Sequence, residues 1–67
     1  MNTGILDKNN KEIKVGDTVE CVDHTTGKVA VINSVFVEEG CFCIADSMYR
    51  IDDFRTDCIE VIKENPL

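Results

Sequence analysis

The chain has 67 residues, of which 43% are hydrophobic, and a formal net charge of −6. A chain this short buries only about 60% of the surface that its unfolded form exposes, and a pocket of about 300 Å³ for a buried cofactor would consume most of such a core. We therefore expect no enzyme, no catalytic residues and no cofactor. The negative charge repels a phosphate backbone, which disfavours direct nucleic-acid binding.

The N-terminal segment has the pattern of a hairpin or hairpin-like arm that leads into the first strand of a small barrel. Ile5 and Ile13 flank a polar stretch over residues 7–12, and the paired asparagines at its centre favour a tight turn. Gly16 can supply the positive φ of a sharp turn into a strand. Residues 17–23 then place strand-forming apolar side chains among acidic ones, which predicts a β-strand.

The longest apolar element covers residues 28–37, after a turn in which Gly27 is expected to take a positive φ. Its apolar side chains fall on both faces for much of its length. This pattern favours a long, curved strand that serves both halves of a closed sheet, and Asn33-Ser34 marks the expected bend.

Two shorter strands are predicted next, over residues 41–45 and 48–51. The Glu-Glu-Gly sequence at 38–40 predicts a hairpin turn before the first of them. Asp46-Ser47 is predicted to be a two-residue connection between the two strands.

The last third of the chain predicts a break and a closing strand. Residues 52–54 interrupt the alternation and suit a single helical turn that Asp52 caps. Residues 58–62 form the closing strand. We predict an all-β domain over residues 1–67, a small SH3-like barrel of about five strands in which the final strand pairs beside the first. It has an N-terminal arm or hairpin and one short helical turn before the last strand.

Both ends of the chain carry motifs of one family. Residues 7–19 read D-K-N-N-K-E-I-K-V-G-D-T-V, which resembles the opening D-K-N-G-K-E-I-x-x-G-D-x-V of YopX-like proteins from bacteriophages and prophages. Residues 59–62 and 64–66, I-E-V-I and E-N-P, resemble that family's closing E-V-I-G-N-x-x-E-N-P. Asn10 replaces the family's turn glycine. The resemblance implies a phage-encoded, β-rich protein and no catalytic residues.

Four cysteines, Cys21, Cys41, Cys43 and Cys58, allow three interpretations. Cys41 and Cys43 fall on one face of a strand, so a four-thiolate zinc site is conceivable, although structural zinc usually uses wider knuckles in turns. A disulfide is the second interpretation. We favour buried free thiols, which behave as small hydrophobic side chains. His24 beside Asp23 is expected to be an exposed turn residue and not part of a hydrolase pair.

The negative charge is concentrated in the second half of the chain, where seven acids between Glu38 and Glu60 face two arginines. A solvated face is one interpretation, and a surface that docks on a basic protein is the other. Tyr49 belongs either to the core or to a recognition patch with its neighbouring arginines. The candidate partner-binding residues are Glu38, Glu39, Asp52, Asp53, Tyr49, Arg50 and Arg55.

No apolar run approaches the ~20 residues that span a bilayer, and the first residues do not resemble a secretion signal. We therefore expect a cytoplasmic protein of the bacterial host that makes no membrane contact. Two functions remain, a module that binds a host or phage protein and an assembly protein that acts as a homo-oligomer.

Overall fold

A computed structural model describes residues 1–66, and for residues 47 and 48 it describes the backbone alone. The strands are β1 (Asn2–Leu6), β2 (Glu12–Lys14), β3 (Thr18–Val22), β4 (Val29–Glu38), β5 (Cys41–Ile44), β6 (Asp46–Arg50) and β7 (Ile59–Lys63). Two 3-10 helices, Ile51–Asp53 and Thr56–Cys58, lie between β6 and β7. The described residues contain no α-helix, so the all-β prediction is confirmed.

The strands form two antiparallel sheets. β1 and β2 make a hairpin, and the other five strands follow the order β6-β5-β4-β3-β7. The predicted placement of the last strand beside the first strand of the main sheet is confirmed, because β7 pairs with β3 and Ile59 lies opposite Cys21. Within residues 1–66 the main sheet is open, since β6 and β7 lie at its two edges and do not pair with each other.

β4 is the strand that connects the two halves of the main sheet. Its first half pairs with β3, up to the pair of Ser34 with Thr18. Its second half pairs with β5, beginning with Val35 opposite Ile44. The partner strand therefore changes between Ser34 and Val35, directly after the Asn33-Ser34 step that the sequence marks as the expected bend.

The turns follow the local sequence closely, with one exception. Asn10 takes a φ of 62° in the turn of the N-terminal hairpin, and Glu39 (51°) and Gly40 (77°) form the turn between β4 and β5. The two-residue connection predicted at Asp46-Ser47 is wrong. Ala45 alone connects β5 to β6, with a φ of 69°, and β6 begins at Asp46.

The predicted helical segment is also corrected. The single turn expected over residues 52–54 is two separate 3-10 turns, and Asp52 lies inside the first of them. Arg50 occupies the N-cap position and its side chain makes no capping hydrogen bond. No helix in the described part of the chain is long and apolar enough to cross a membrane.

The core is small and lies between the hairpin and the main sheet. Its buried members are Ile13, Val19, Cys21, Val35, Ile44, Ile51 and Ile59. β4 contributes little to it, because Val29 and Ile32 keep 52% and 49% of their surface exposed. The apolar character of β4 on both faces therefore does not mean that both faces are covered.

Candidate functional site

Asp7 is a fully buried carboxylate that holds the hairpin turn against β7. The backbone N–H groups of Asn9 and Lys11 donate to its Oδ1, both at 2.9 Å, and the N–H of Val61 donates to its Oδ2 at 3.0 Å. Burial raises the pKa of Asp7, but these three donors outweigh it and hold the pKa below its ordinary value of 3.8. The carboxylate is thus ionised and structural.

Asp17 is the second fully buried carboxylate, and it holds the C-terminal segment. The N–H of Lys14 donates to its Oδ2 at 2.9 Å, and the N–H of Asn65 donates to its Oδ1 at 2.7 Å. The Asn65 side chain donates to the carbonyl of Val15 at 3.0 Å. Gly16 has a φ of 96°, and a Cβ there would collide with the Asn65 side chain. We call Asp7, Asp17 and Asn65, with the groups that they bind, the clasp.

Three lysines surround the clasp, and acids of the C-terminal segment pair with them. Lys8 lies 3.2 Å from Glu60, and Lys11 and Lys14 lie 2.7 and 3.7 Å from Glu64. The positive cluster at this end of the molecule is therefore neutralised locally. Among the acids without an ion pair in the described part of the chain are Glu12 and Glu20, and also Glu38, Glu39 and Asp53.

Two open depressions lie on the two faces of β6. Tyr49 lines one and Arg50 lines the other, because successive side chains of a strand point to opposite faces. The first, which we call the acidic depression, has a volume of about 350 Å³ and is lined by Glu38, Glu39, Cys41, Cys43 and Arg50. Arg50 also lies 3.5 Å from Asp52.

The second depression, which we call the seam groove, has a volume of about 380 Å³. It lies between β6 with the loop after it and the turn that joins β3 to β4. Its lining residues are Val22, Asp23, His24, Thr25, Ala30, Tyr49, Asp53, Phe54 and Arg55. Arg55 donates two hydrogen bonds to Asp57, from Nε to Oδ1 at 3.2 Å and from Nη2 to Oδ2 at 3.1 Å.

The structure divides the seven candidate residues between these depressions. Glu38, Glu39 and Arg50, with Asp52 attached to Arg50, belong to the acidic depression, and Tyr49, Asp53 and Arg55 line the seam groove. Tyr49 is 44% exposed, so a fully core position is wrong and a surface role stays open. The sequence interpretation did not include Asp23 or Phe54. Phe54 stands between the candidates Asp53 and Arg55, whereas Asp23 is far from the other candidates in the chain and is brought to them by the fold.

The cysteines occupy two environments. Cys21 is in the core, and burial, with the nearby Cys58 and Glu20, raises its pKa to about 11. Cys41 and Cys43 both line the acidic depression. Cys43 is buried but lies outside the core cluster, and Cys41 is half-buried. All four are free thiols. The described residues contain no group of three or more His, Cys, Asp or Glu arranged to hold a metal.

Comparison of the chain with known protein families, with curated proteins and with solved structures gives no match. The resemblance to YopX-like proteins therefore stays an expectation. The two motifs that carry it are in direct contact in the fold, because the clasp joins residues of the opening motif, Asp7 and Asp17, to residues of the closing motif, Val61 and Asn65.

Proposed function

We propose that this protein is a non-enzymatic protein-binding module, encoded by a phage or prophage, that acts in the host cytoplasm on a host or phage protein with a basic surface. The observation that carries the proposal is the division of charge. Glu38, Glu39 and Asp53 are exposed and have no ion-pair partner within residues 1–66, whereas the lysines at the clasp end are paired. Exposed charges of one sign that lack local partners favour encounter with an oppositely charged surface.

The architecture is consistent with an SH3-like barrel, which we include in the proposal. Five antiparallel strands curl around one core, the long β4 serves both halves, and β7 returns to β3. A closed barrel would have no gap between its strands, whereas here β6 and the first half of β4 are not paired with each other. Small barrels of this kind act as scaffolds that present loops and edges to partners.

The test uses a variant that changes Glu38, Glu39, Asp52 and Asp53 to their amides. Protein captured from a bacterial lysate by the native chain is identified, and its association rate is measured from about 0.05 to about 0.5 M salt. We expect the association rate of the native chain to fall about tenfold over this range of salt. At low salt, the amide variant should associate about tenfold more slowly than the native chain.

The matched control changes Glu12, Glu20, Glu60 and Glu64 to glutamine, which alters the net charge equally but at the clasp end. The control should associate at close to the native rate. Equal rates for the native chain and the first variant would show that the acidic end serves solubility alone.

A second function, assembly as a homo-oligomer, is favoured by one observation. Val29, Ile32 and Ile62 each expose about half of their surface, and contact between copies would cover it. Light scattering at micromolar concentration separates the two functions, because assembly requires a stable oligomer and a binding module is expected to be monomeric.

A further inference from the structure

The seam groove lies beside a length of strand that is paired on one side alone. Residues 29–34 of β4 pair with β3, and β5 pairs only with residues 35–38. Within the described residues, the backbone of the first half of β4 therefore has no strand on the side that faces away from β3. β6, on the other side of the groove, is likewise paired with β5 alone. Unpaired strand edges of this kind accept an added strand.

The side chains around this edge define what kind of strand would fit. Ala30, Tyr49 and Phe54 give the groove an apolar surface, with Tyr49 partly exposed. Asp23 and Asp53 supply the charge at its margin. Since the carboxylate of Asp57 already binds Arg55, the groove has a net negative character.

We propose that the seam groove binds an extended segment of the partner, which pairs as an added strand along the first half of β4. In an extended segment alternate side chains point to opposite sides. Apolar side chains would enter the groove, and alternating lysines or arginines would reach Asp23 and Asp53. The inference rests on the proposed function and adds to it the binding mode and the chemistry of the bound segment.

The negative charge of the seam groove favours a basic peptide over a second copy of the chain and over nucleic acid. A second copy of the chain carries a net charge of −6 and would bring acid against acid. Nucleic acid would do the same with its phosphates. A basic, alternating peptide is the occupant whose charge complements the groove.

The experiment uses as its probe an acetylated peptide of about eight residues in which lysine and valine alternate, a length that covers the free edge at about 3.3 Å per residue. A peptide in which glutamate replaces each lysine is the matched control. Binding is followed by nuclear magnetic resonance titration, and strand pairing is measured by amide hydrogen exchange over residues 29–34. We expect the lysine peptide to bind in the millimolar range or better and to slow exchange of some of these amides about tenfold or more.

Two charge-matched variants locate the site. Changing Asp23 and Asp53 to asparagine should weaken the lysine peptide about threefold to tenfold, because two exposed ion pairs are lost. Changing Glu38 and Glu39 to glutamine, which removes the same charge from the acidic depression, should weaken it less than twofold. Tyr49→Ala should weaken both the binding and the exchange protection.

Three outcomes would overturn the inference. They are no binding of the lysine peptide at millimolar concentration, protection confined to residues outside 29–34, and equal weakening by the two pairs of amide changes. Concentration-dependent shifts at the groove without peptide would assign it to a second copy. Failure of the proposed function looks different, because it appears as a salt-independent association rate with the folded partner even where the peptide binds in the groove.

Discussion

The clasp and the acidic depression are built from the same kind of residue and use it in opposite ways. Asp7 and Asp17 are fully buried, and each accepts backbone hydrogen bonds from its own turn and one from a distant segment, Val61 or Asn65. Glu38 and Glu39 are exposed at the tip of a hairpin. The role of an acid in this protein is therefore set by which backbone N–H groups surround it, and the count of acids alone carries little information about function.

Loss of the buried Asp7 carboxylate should destabilise the fold more than any other change considered for the clasp or the acidic depression. Asp7→Ala leaves three N–H groups without their acceptor, two in the hairpin turn and one in β7. A hydrogen bond to a charged group contributes about 1.5 to 3 kcal/mol, and water can partly satisfy the N–H groups of the exposed Asn9 and Lys11, so we expect the free energy of unfolding to fall by about 3 to 5 kcal/mol. Urea unfolding measures it.

Asp53→Ala is the matched control for that change, and it should lower the free energy of unfolding by less than about 0.5 kcal/mol. If Asp7→Ala does not fold, Asp7→Asn keeps the shape of the side chain and permits the measurement. Similar losses of unfolding free energy for Asp7→Ala and Asp53→Ala would show that the buried aspartate is no more important to the fold than the exposed one.

The next effect concerns the close approach of Gly16 to Asn65. Gly16→Ala adds a Cβ that collides with the Asn65 side chain and places alanine at a φ of 96°. We expect a loss of about 2 to 3 kcal/mol, part from strain and part from the collision. In a chain that also carries Asn65→Ala the two closest contacts are removed and only the Cβ of residue 65 stays near, so the same change should cost about 1 kcal/mol less. Strict additivity of the two changes would show that the contact is not rigid.

The buried Asp7 carboxylate should also make the stability of the fold depend on pH. The pKa of Asp7 in the folded protein lies below its ordinary value of 3.8, so its ionised form stabilises the fold. This contribution is complete above pH 3.8 and disappears as the pH falls through the folded pKa, at about 1.4 kcal/mol for each unit of lowering. Asp7→Asn should flatten the acid limb of the stability curve, measured by urea unfolding between about pH 2 and 6. An unchanged limb would assign the acid sensitivity to other carboxyl groups.

Removing charge from the acidic depression should change the stability of the protein least. Changing Glu38 and Glu39 to glutamine removes two exposed charges that have no ion-pair partner in the described part of the chain. We expect the free energy of unfolding to change by less than about 0.5 kcal/mol, with a small gain from reduced repulsion. Thermal unfolding followed by circular dichroism measures it. A larger loss would mean that these acids serve the fold.

Much of the fold could be predicted from local signals. The turn at Asn10 and the Glu-Glu-Gly hairpin each depend on a few adjacent residues, and both are found where they were expected. The partner of β4 changes directly after the predicted bend at Asn33-Ser34. The connection between β5 and β6 was missed because Ala45 takes a left-handed backbone that alanine rarely adopts.

The clasp could not be predicted, because its bonds join residues far apart in the chain. An aspartate near the start of a polar turn is expected to accept an N–H two residues on, and Asp7 does so with Asn9. Its bond with Val61 and the bond of Asp17 with Asn65 have no local signal. The surface candidates were found as a set from charge and residue type, but their division between two depressions follows from the path of β6.

The clasp can form only late in synthesis, because its bonds join residues far apart in the chain. Its two long-range bonds close loops of 54 and 48 residues, and both require the segment from Val61 to Asn65. During synthesis the hairpin leaves the ribosome first, with Asp7 and Asp17 still lacking their distant partners. The nascent chain therefore keeps two solvated carboxylates and an unpaired β3 edge until residue 65 emerges, and folding is completed late and by non-local contacts, which close slowly. Until then the net charge of −6 opposes association between unfinished chains.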